Sequence, residues 1–302
     1  MKIGVNILNF GPGTNLASLE RWAQLAETLG YHFVMISVHV AVTSDVHSQY
    51  PAPFYDPFIA LAWLAGVTKN LELGATVIIL PYRHPLLTAR MAANIDQLCR
   101  GRFILGVGVG WAKQEFQALG IPFEQRGAIA NEYLEVIKKC WTNDVVSHEG
   151  RYVSFREVHT GPRPVRSPHP PIWVGGRSES AMRRAARYGN AWHPIRFRMD
   201  WLANEGWPAL RKIAEAEGAP IPALCPRIHL RLTDSPLEES TRLAGDGTAD
   251  QIRRDLETLA DLGAECVLFD TYSGKPEDAA DFERDWTALA ILAERIVGLK
   301  QR

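Results

Sequence analysis

Along the chain, short runs of consecutive apolar residues alternate with segments whose apolar residues recur every three to four positions. Those are the two periods expected of buried strands and amphipathic helices. Ile3 to Leu8 reads as a strand, and Leu16, Leu19, Ala23, Ala26 and Leu29 follow at helical spacing. Phe33 to Ser37 is a second strand, and Pro57 to Val67 is a helix with proline at its start. The third strand, Glu72 to Ile79, precedes a helical stripe of Leu87, Met91, Ile95 and Leu98. The fourth, Arg102 to Val107, precedes Ile129, Tyr133, Ile137 and Cys140. Strands that are apolar at successive positions are covered on both faces, as in a parallel sheet.

Val145 to Phe155 breaks this rhythm, because its residues alternate around Glu149-Gly150 as in an antiparallel hairpin. The alternation then resumes with strand Pro171 to Val174, helix Ser180 to Tyr188, the very short strand Ala191 to Pro194 and helix Trp201 to Ala216. Arg227 to Leu232 is a seventh strand. Thr248 and Gln251 have capping-box spacing and open a helix with Ile252, Leu256 and Leu259 on its buried face. Glu265 to Asp270 is an eighth strand, and Phe282, Trp286, Leu289, Ala293 and Ile296 stripe the last helix. Eight strand-helix pairs predict an α/β fold of the (β/α)8 TIM-barrel type. The barrel fills a single domain over 1–302, with insertions near 38–56, 108–125, 143–170 and 233–247. Sites in such barrels are built from the loops after the strands.

Composition narrows the partners. Lys+Arg 33 against Asp+Glu 34 gives a formal net charge of -1, which offers no global field for nucleic acid or an anionic membrane. Cys99, Cys140, Cys225 and Cys266 form no Cys-x-x-Cys pair, so they are expected to be reduced core thiols and not zinc ligands or disulfides. No run approaches the roughly 18 apolar residues of a membrane helix, and the amino terminus enters a strand pattern without a cleavable apolar segment. The cytoplasm is the expected location, and a small organic molecule the expected partner.

Candidate chemistry gathers at strand ends. His39 follows the second strand, where an imidazole suits proton removal from a substrate hydroxyl; a histidine merely hydrogen-bonded at a strand end would occupy the same position. Arg83 and His84 follow the third strand and suit an anionic group, although arginines there also cap loops. The fourth strand discharges into Gly106, Gly108 and Gly110, whose missing Cβ atoms would let a planar ligand approach the backbone or let the strands pack tightly. Gly-x-Gly-x-x-Gly would need glycine where Trp111 stands, so a dinucleotide fingerprint is excluded. Gly175 and Gly176 lie between a strand and a helix start, where free N-H groups favour a phosphate and Arg177 or Ser178 add donors. His193, Arg231 and Asp270 end the sixth, seventh and eighth strands and, with Trp111, are pocket candidates by position. No metal site is expected, since no His-x-His follows the first strand.

Leu80-Pro81-Tyr82-Arg83-His84-Pro85, Ile95-Asp96-Gln97-Leu98 with Gly101-Arg102, Gly106-Val107-Gly108-Val109-Gly110-Trp111, Glu115-Phe116, Leu119-Gly120 and the Pro171 to Gly176 string together resemble the luciferase-like monooxygenase family, nearest its deazaflavin-dependent branch. The resemblance implies a bound coenzyme F-420 (8-hydroxy-5-deazaflavin) or FMN in the barrel mouth. Thr76 and Val77, joined by a non-prolyl cis peptide, would back the ring; Gly108, Val109 and Gly110 would flank it; Gly175 and Gly176 would meet the phosphate. It also implies a homodimer through helices near the second to fourth strands. The deazaflavin branch usually carries Asp-His after strand two, where this chain has Val38-His39, and a glutamate acid in sugar-phosphate dehydrogenases where it has Trp111. The function expected is hydride transfer between an organic substrate and coenzyme F-420, with His39 managing a substrate proton. The rival is oxygen insertion by a reduced-FMN-dependent monooxygenase. A non-catalytic flavin-binding barrel and a metal-dependent hydrolase are the alternatives of other classes.

Overall fold

Eight parallel strands curl into a TIM-barrel-like α/β fold in the computed structural model, which describes residues 1–300. The strands are β1 (Lys2–Ile7), β2 (Phe33–Ile36), β3 (Glu72–Ala75), β4 (Phe103–Gly108), β5 (Ile172–Gly175), β6 (Ala191–His193), β7 (Ala223–Leu224 and Arg227–His229) and β8 (Cys266–Asp270). The first part of β7 pairs with β6 and the second with β8, so this strand closes the ring. The break falls at Pro226, which has no N-H to give to a ladder. Across it, Cys225 N-H still donates to Trp192 O and Leu268 N-H to Pro226 O, each at 2.9 Å.

Each strand is followed by a helix: α1 (Leu16–Thr28), α2 (Pro57–Val67), α3 (Pro85–Leu98), α4 (Arg126–Thr142), α5 (Glu179–Tyr188), α6 (Trp207–Ala216), α7 (Ala249–Asp261) and α8 (Glu283–Ile291). The expected Thr248/Gln251 capping box opens α7. The helical stripe on α3 differs from the expectation: Leu87 and Leu98 are 51% and 62% exposed, while Ala89, Ala92, Ala93 and Ile95 are buried. The buried face of this helix is thus mostly alanine with Ile95, while Leu87 and Leu98 point out.

The hairpin pairs Val145–Glu149 with Ser154–His159 antiparallel, extending beyond Phe155. Glu132 on α4 clasps its turn by accepting from the N-H groups of Arg151, Tyr152 and Val153 at 2.9 to 3.0 Å. The seventh strand also departs from its expected span. Arg231–Leu232 leaves the barrel and pairs with Asp246–Gly247 in a separate two-stranded sheet.

The ring is filled, not hollow. Phe33, Met35, Ile104, Trp173, Ala191, Cys225, Cys266 and Leu268 form an inner cluster distinct from the main core between strands and helices. Gly4 is required here, because a Cβ on it would lie 2.3 Å from the Phe33 ring. All four cysteines are buried free thiols.

Candidate active site

The peptide Thr76-Val77 after β3 is cis, and Ile78–Ile79 resumes the strand direction by pairing with Val107 and Gly108. The Thr76 side chain joins a buried polar layer near the carboxyl ends of the strands. Arg227 Nη1 donates to Thr76 O at 3.1 Å and to its Oγ1 at 3.2 Å, while Nη2 and Nε donate to Asp270 Oδ2 at 2.6 and 3.1 Å. Asn6 Nδ2 donates to the other Asp270 oxygen at 2.9 Å. Burial opposes the charge on Asp270, but the Arg227 guanidinium and the Asn6 hydrogen bond outweigh it and hold the carboxyl below its ordinary range.

His193 completes this layer. Its Nδ1 faces the carbonyl of Cys225, so Nδ1 carries the proton, and Nε2 accepts from the Thr76 hydroxyl at 2.9 Å. Burial, with a smaller push from the Arg227 charge, drives the imidazole down to about 4, so it is neutral at pH 7. His193 and Asp270, expected at the substrate, therefore lie beneath the site and position Thr76 and Arg227.

Next to this layer opens a cavity of about 260 Å³ whose lining includes His39, Tyr50, Thr76, Val77, Gly110 and Trp111. His39 stands just beyond β2 with Nδ1 2.7 Å from Glu115 Oε2. Glu115 is fully buried on the short helix Lys113–Ala118. It also accepts from Val40 N-H at 2.6 Å, Ala41 N-H at 3.0 Å and Tyr82 Oη at 2.9 Å. Burial alone would raise this carboxyl, but His39 and the two backbone N-H groups reverse that and hold it low. An ionised carboxylate only accepts, so His39 bears its proton on Nδ1 and turns Nε2 toward the cavity. The rings of Tyr50, Phe54 and Trp111 surround the imidazole at 5.3, 5.5 and 5.8 Å between centroids.

The glycines act differently from the ligand-approach reading. A Cβ on Gly106 would lie 1.8 Å from Ala75 O, on Gly108 2.6 Å from Val77 Cγ2, and on Gly110, where φ is +81°, 2.8 Å from both Ile79 and Phe116. Protein atoms occupy those spaces, so the glycines let Val77 and Ile79 seat against β4. Val109 is half-buried against the main core.

Gly175 and Gly176 end β5, Gly176 with φ of +110°. Trp192 Nε1 donates to Gly176 O at 2.7 Å, and Ser178 caps α5 by accepting from Ala181 N-H. The Arg177 guanidinium lies 5.5 Å from the Trp201 ring. Arg83, expected at the substrate, is not part of the cavity: it pairs with Asp56 and lies 5.5 Å from the Phe58 ring. The residues that sequence reasoning missed are Glu115, Tyr82 and Arg227. Glu115 stood in a recognised motif, yet nothing local tied it to His39, 76 positions away.

Among the described residues no group of three His, Cys, Asp or Glu side chains is arranged to hold a metal ion, and no helix is long and apolar enough to cross a membrane.

Comparison with known proteins identifies the family. An uncharacterised protein of Mycobacterium tuberculosis is 28% identical over 224 residues, covering 66% of this chain and 79% of the relative. An FMNH(2)-dependent dimethylsulfone monooxygenase of Pseudomonas putida is 31% identical over 171 residues, 56% of this chain and 46% of that protein. The structure of the coenzyme F-420-dependent tetrahydromethanopterin reductase of Methanopyrus kandleri superposes with a TM-score of 0.79 at 16% identity, covering 99% of each chain, and so shares the fold. The sequence model of the luciferase-like monooxygenases matches residues 1–239, and the chain belongs to that family.

Proposed function

We propose that the protein is an oxidoreductase that moves two electrons between a small organic substrate and the deazaflavin coenzyme F-420. The observation that carries this reading is the pairing of His39 with buried Glu115 beside the ledge of Val77, Ile79 and Gly110. The residues present fit a flavin-type group. A seated apolar ledge suits one face of a planar ring, and the Gly175-Gly176 turn, Ser178 and the Arg177 guanidinium at the start of α5 suit its phosphate. Thr76, Val77, Ile79 and Gly110, which line the cavity, would hold the ring, with Gly108 behind them seating Val77. When bound, the cofactor supplies the two-electron chemistry.

The chain's own residues do the rest. His39 Nε2 takes the proton of a substrate hydroxyl as the substrate is oxidised, or returns it in the reverse direction. Glu115 holds the tautomer and balances the imidazolium charge. Trp111 and Tyr50 line the cavity beside His39 and would shield the reacting atoms once an occupant is bound. Spectral titration of the purified protein with coenzyme F-420 and with FMN tests the reading. Micromolar binding of neither overturns it, and binding without any effect of His39→Ala on turnover favours a non-catalytic role.

A second reading, a reduced-FMN-dependent monooxygenase, is favoured by Val38. Where the deazaflavin branch is expected to carry aspartate, Val38 is buried against Ile79, Tyr82 and Phe116. Oxygen consumption with a flavin reductase present separates the two. Ile59 on α2 with Leu87 and Leu98 on α3 are exposed, which supports a homodimer through these helices; light scattering reads the assembly.

A further inference from the structure

We infer that the substrate is a small organic carboxylate whose anionic end is held by Arg196; this rests on the oxidoreductase reading above. Arg196 follows β6 and lines the same cavity as His39. Its backbone is left-handed, with φ of +53°, a conformation uncommon for a residue with a Cβ. Its guanidinium reaches the aromatic wall, where Nη2 lies 3.4 Å from Tyr50 Oη.

Charge accounting around the cavity singles this residue out. No aspartate or glutamate is among the lining residues, whereas His39, Arg196 and Arg227 are. Arg227 is neutralised by Asp270 at 2.6 Å, and His39 is paired with Glu115 at 2.7 Å. Among the described residues no carboxylate lies within salt-bridge distance of Arg196, whose one side-chain hydrogen bond is the contact with the Tyr50 hydroxyl. The cavity therefore carries one uncompensated positive charge, on a planar fork suited to bidentate carboxylate recognition. Tyr50 touches both groups, its ring 5.3 Å from the imidazole of His39 and its hydroxyl 3.4 Å from the guanidinium, so an occupant of the cavity lies against an aromatic face with a guanidinium and an imidazole on its walls.

The test compares acids with their isosteric amides. Calorimetric titration of the full chain with benzoate, phenylacetate and hexanoate, each against its amide, should show at least one acid binding about tenfold more tightly. Arg196→Gln should abolish that preference while leaving amide affinity unchanged, and Arg196→Lys should restore part of it. Absence of an acid preference in the unaltered protein, whether both members of each pair bind alike or neither binds, overturns the inference. A preference that survives in Arg196→Gln overturns it as well. Titrating the same variants with FMN and coenzyme F-420 keeps the two readings apart. A variant that loses the cofactor shows that the guanidinium serves the cofactor, which sinks the substrate assignment alone. Failure of the unaltered protein to bind either cofactor sinks the oxidoreductase reading, whatever the acids do.

Discussion

Replacing Glu115 separates what the buried carboxylate does for stability from what it does for His39. Four donors converge on it: His39 Nδ1, Val40 N-H, Ala41 N-H and Tyr82 Oη. Glu115→Ala leaves all four without an acceptor, and a buried donor without a partner costs about 1–3 kcal/mol. Because Val40 and Ala41 are partly open to water, the sum falls to about 3–5 kcal/mol, the range for breaking a buried charge pair. Glu115→Gln behaves differently. Its oxygen retains Val40 and Ala41, and its NH2 meets Tyr82, which can turn to accept, and His39, which accepts at Nδ1 only by moving its proton to Nε2. The stability cost is then about 1–2 kcal/mol, the loss of charge assistance. The neutral His39 now presents N-H to the cavity and cannot take a substrate proton, so turnover should fall about 100-fold, at the low end of general-base contributions. Urea unfolding at pH 7 measures the first quantity, and 15N NMR of the His39 ring reads the tautomer. A glutamine variant that keeps Nε2 unprotonated, or an alanine variant as stable as the unaltered protein, refutes the network.

Gly108→Ala should push Val77 off its seat, since the new Cβ would stand 2.6 Å from Val77 Cγ2. A destabilisation of about 1–3 kcal/mol is expected, with weaker cofactor binding in spectral titration. Asp270→Asn strips the buried Arg227 of its counter-charge and should cost about 3–5 kcal/mol in chemical denaturation. Acid should erode stability through His193. Its folded value of about 4 lies below the ordinary 6.5, so the unfolded chain takes the proton first and stability falls as pH drops from 6.5 toward 4. His193→Gln should flatten that part of the pH-stability curve. Asp285 works in the opposite sense: burial lifts it from 3.8 to about 7, so stability is lost as pH rises through that window. Asp285→Asn should accordingly gain stability at pH 8 relative to pH 5, measured by thermal unfolding in matched buffers.

The barrel was legible because its signal is periodic and local. Each strand-helix pair announces itself within about 30 residues, and the Thr248/Gln251 capping box shows that even a helix start can be read from two side chains. What failed was the span of β7. Arg231 carries the same charge as Arg227, but the break at Pro226 lets the chain close the ring early and leaves Arg231 58% exposed against Asp246. No local pattern distinguishes them, since closure is decided by β6 and β8, more than thirty residues away on either side.

The glycines and Glu115 teach the complementary point about the site. Gly106, Gly108 and Gly110 advertise missing side chains, but a sequence does not say what fills the space; here it is Ala75 O, Val77 and Ile79. The absent Cβ atoms thus shape the cavity indirectly, by setting where the Val77 and Ile79 side chains come to rest. Glu115 is hidden for the converse reason. A helix-start glutamate ordinarily faces water, and only the fold turns this one inward to meet the residues after β2. His39 could be suspected from its strand end, but its tautomer depends on a carboxylate brought in by tertiary structure. Chemistry that needs one residue is visible in a sequence; chemistry that needs a buried partner becomes visible only once the ring closes.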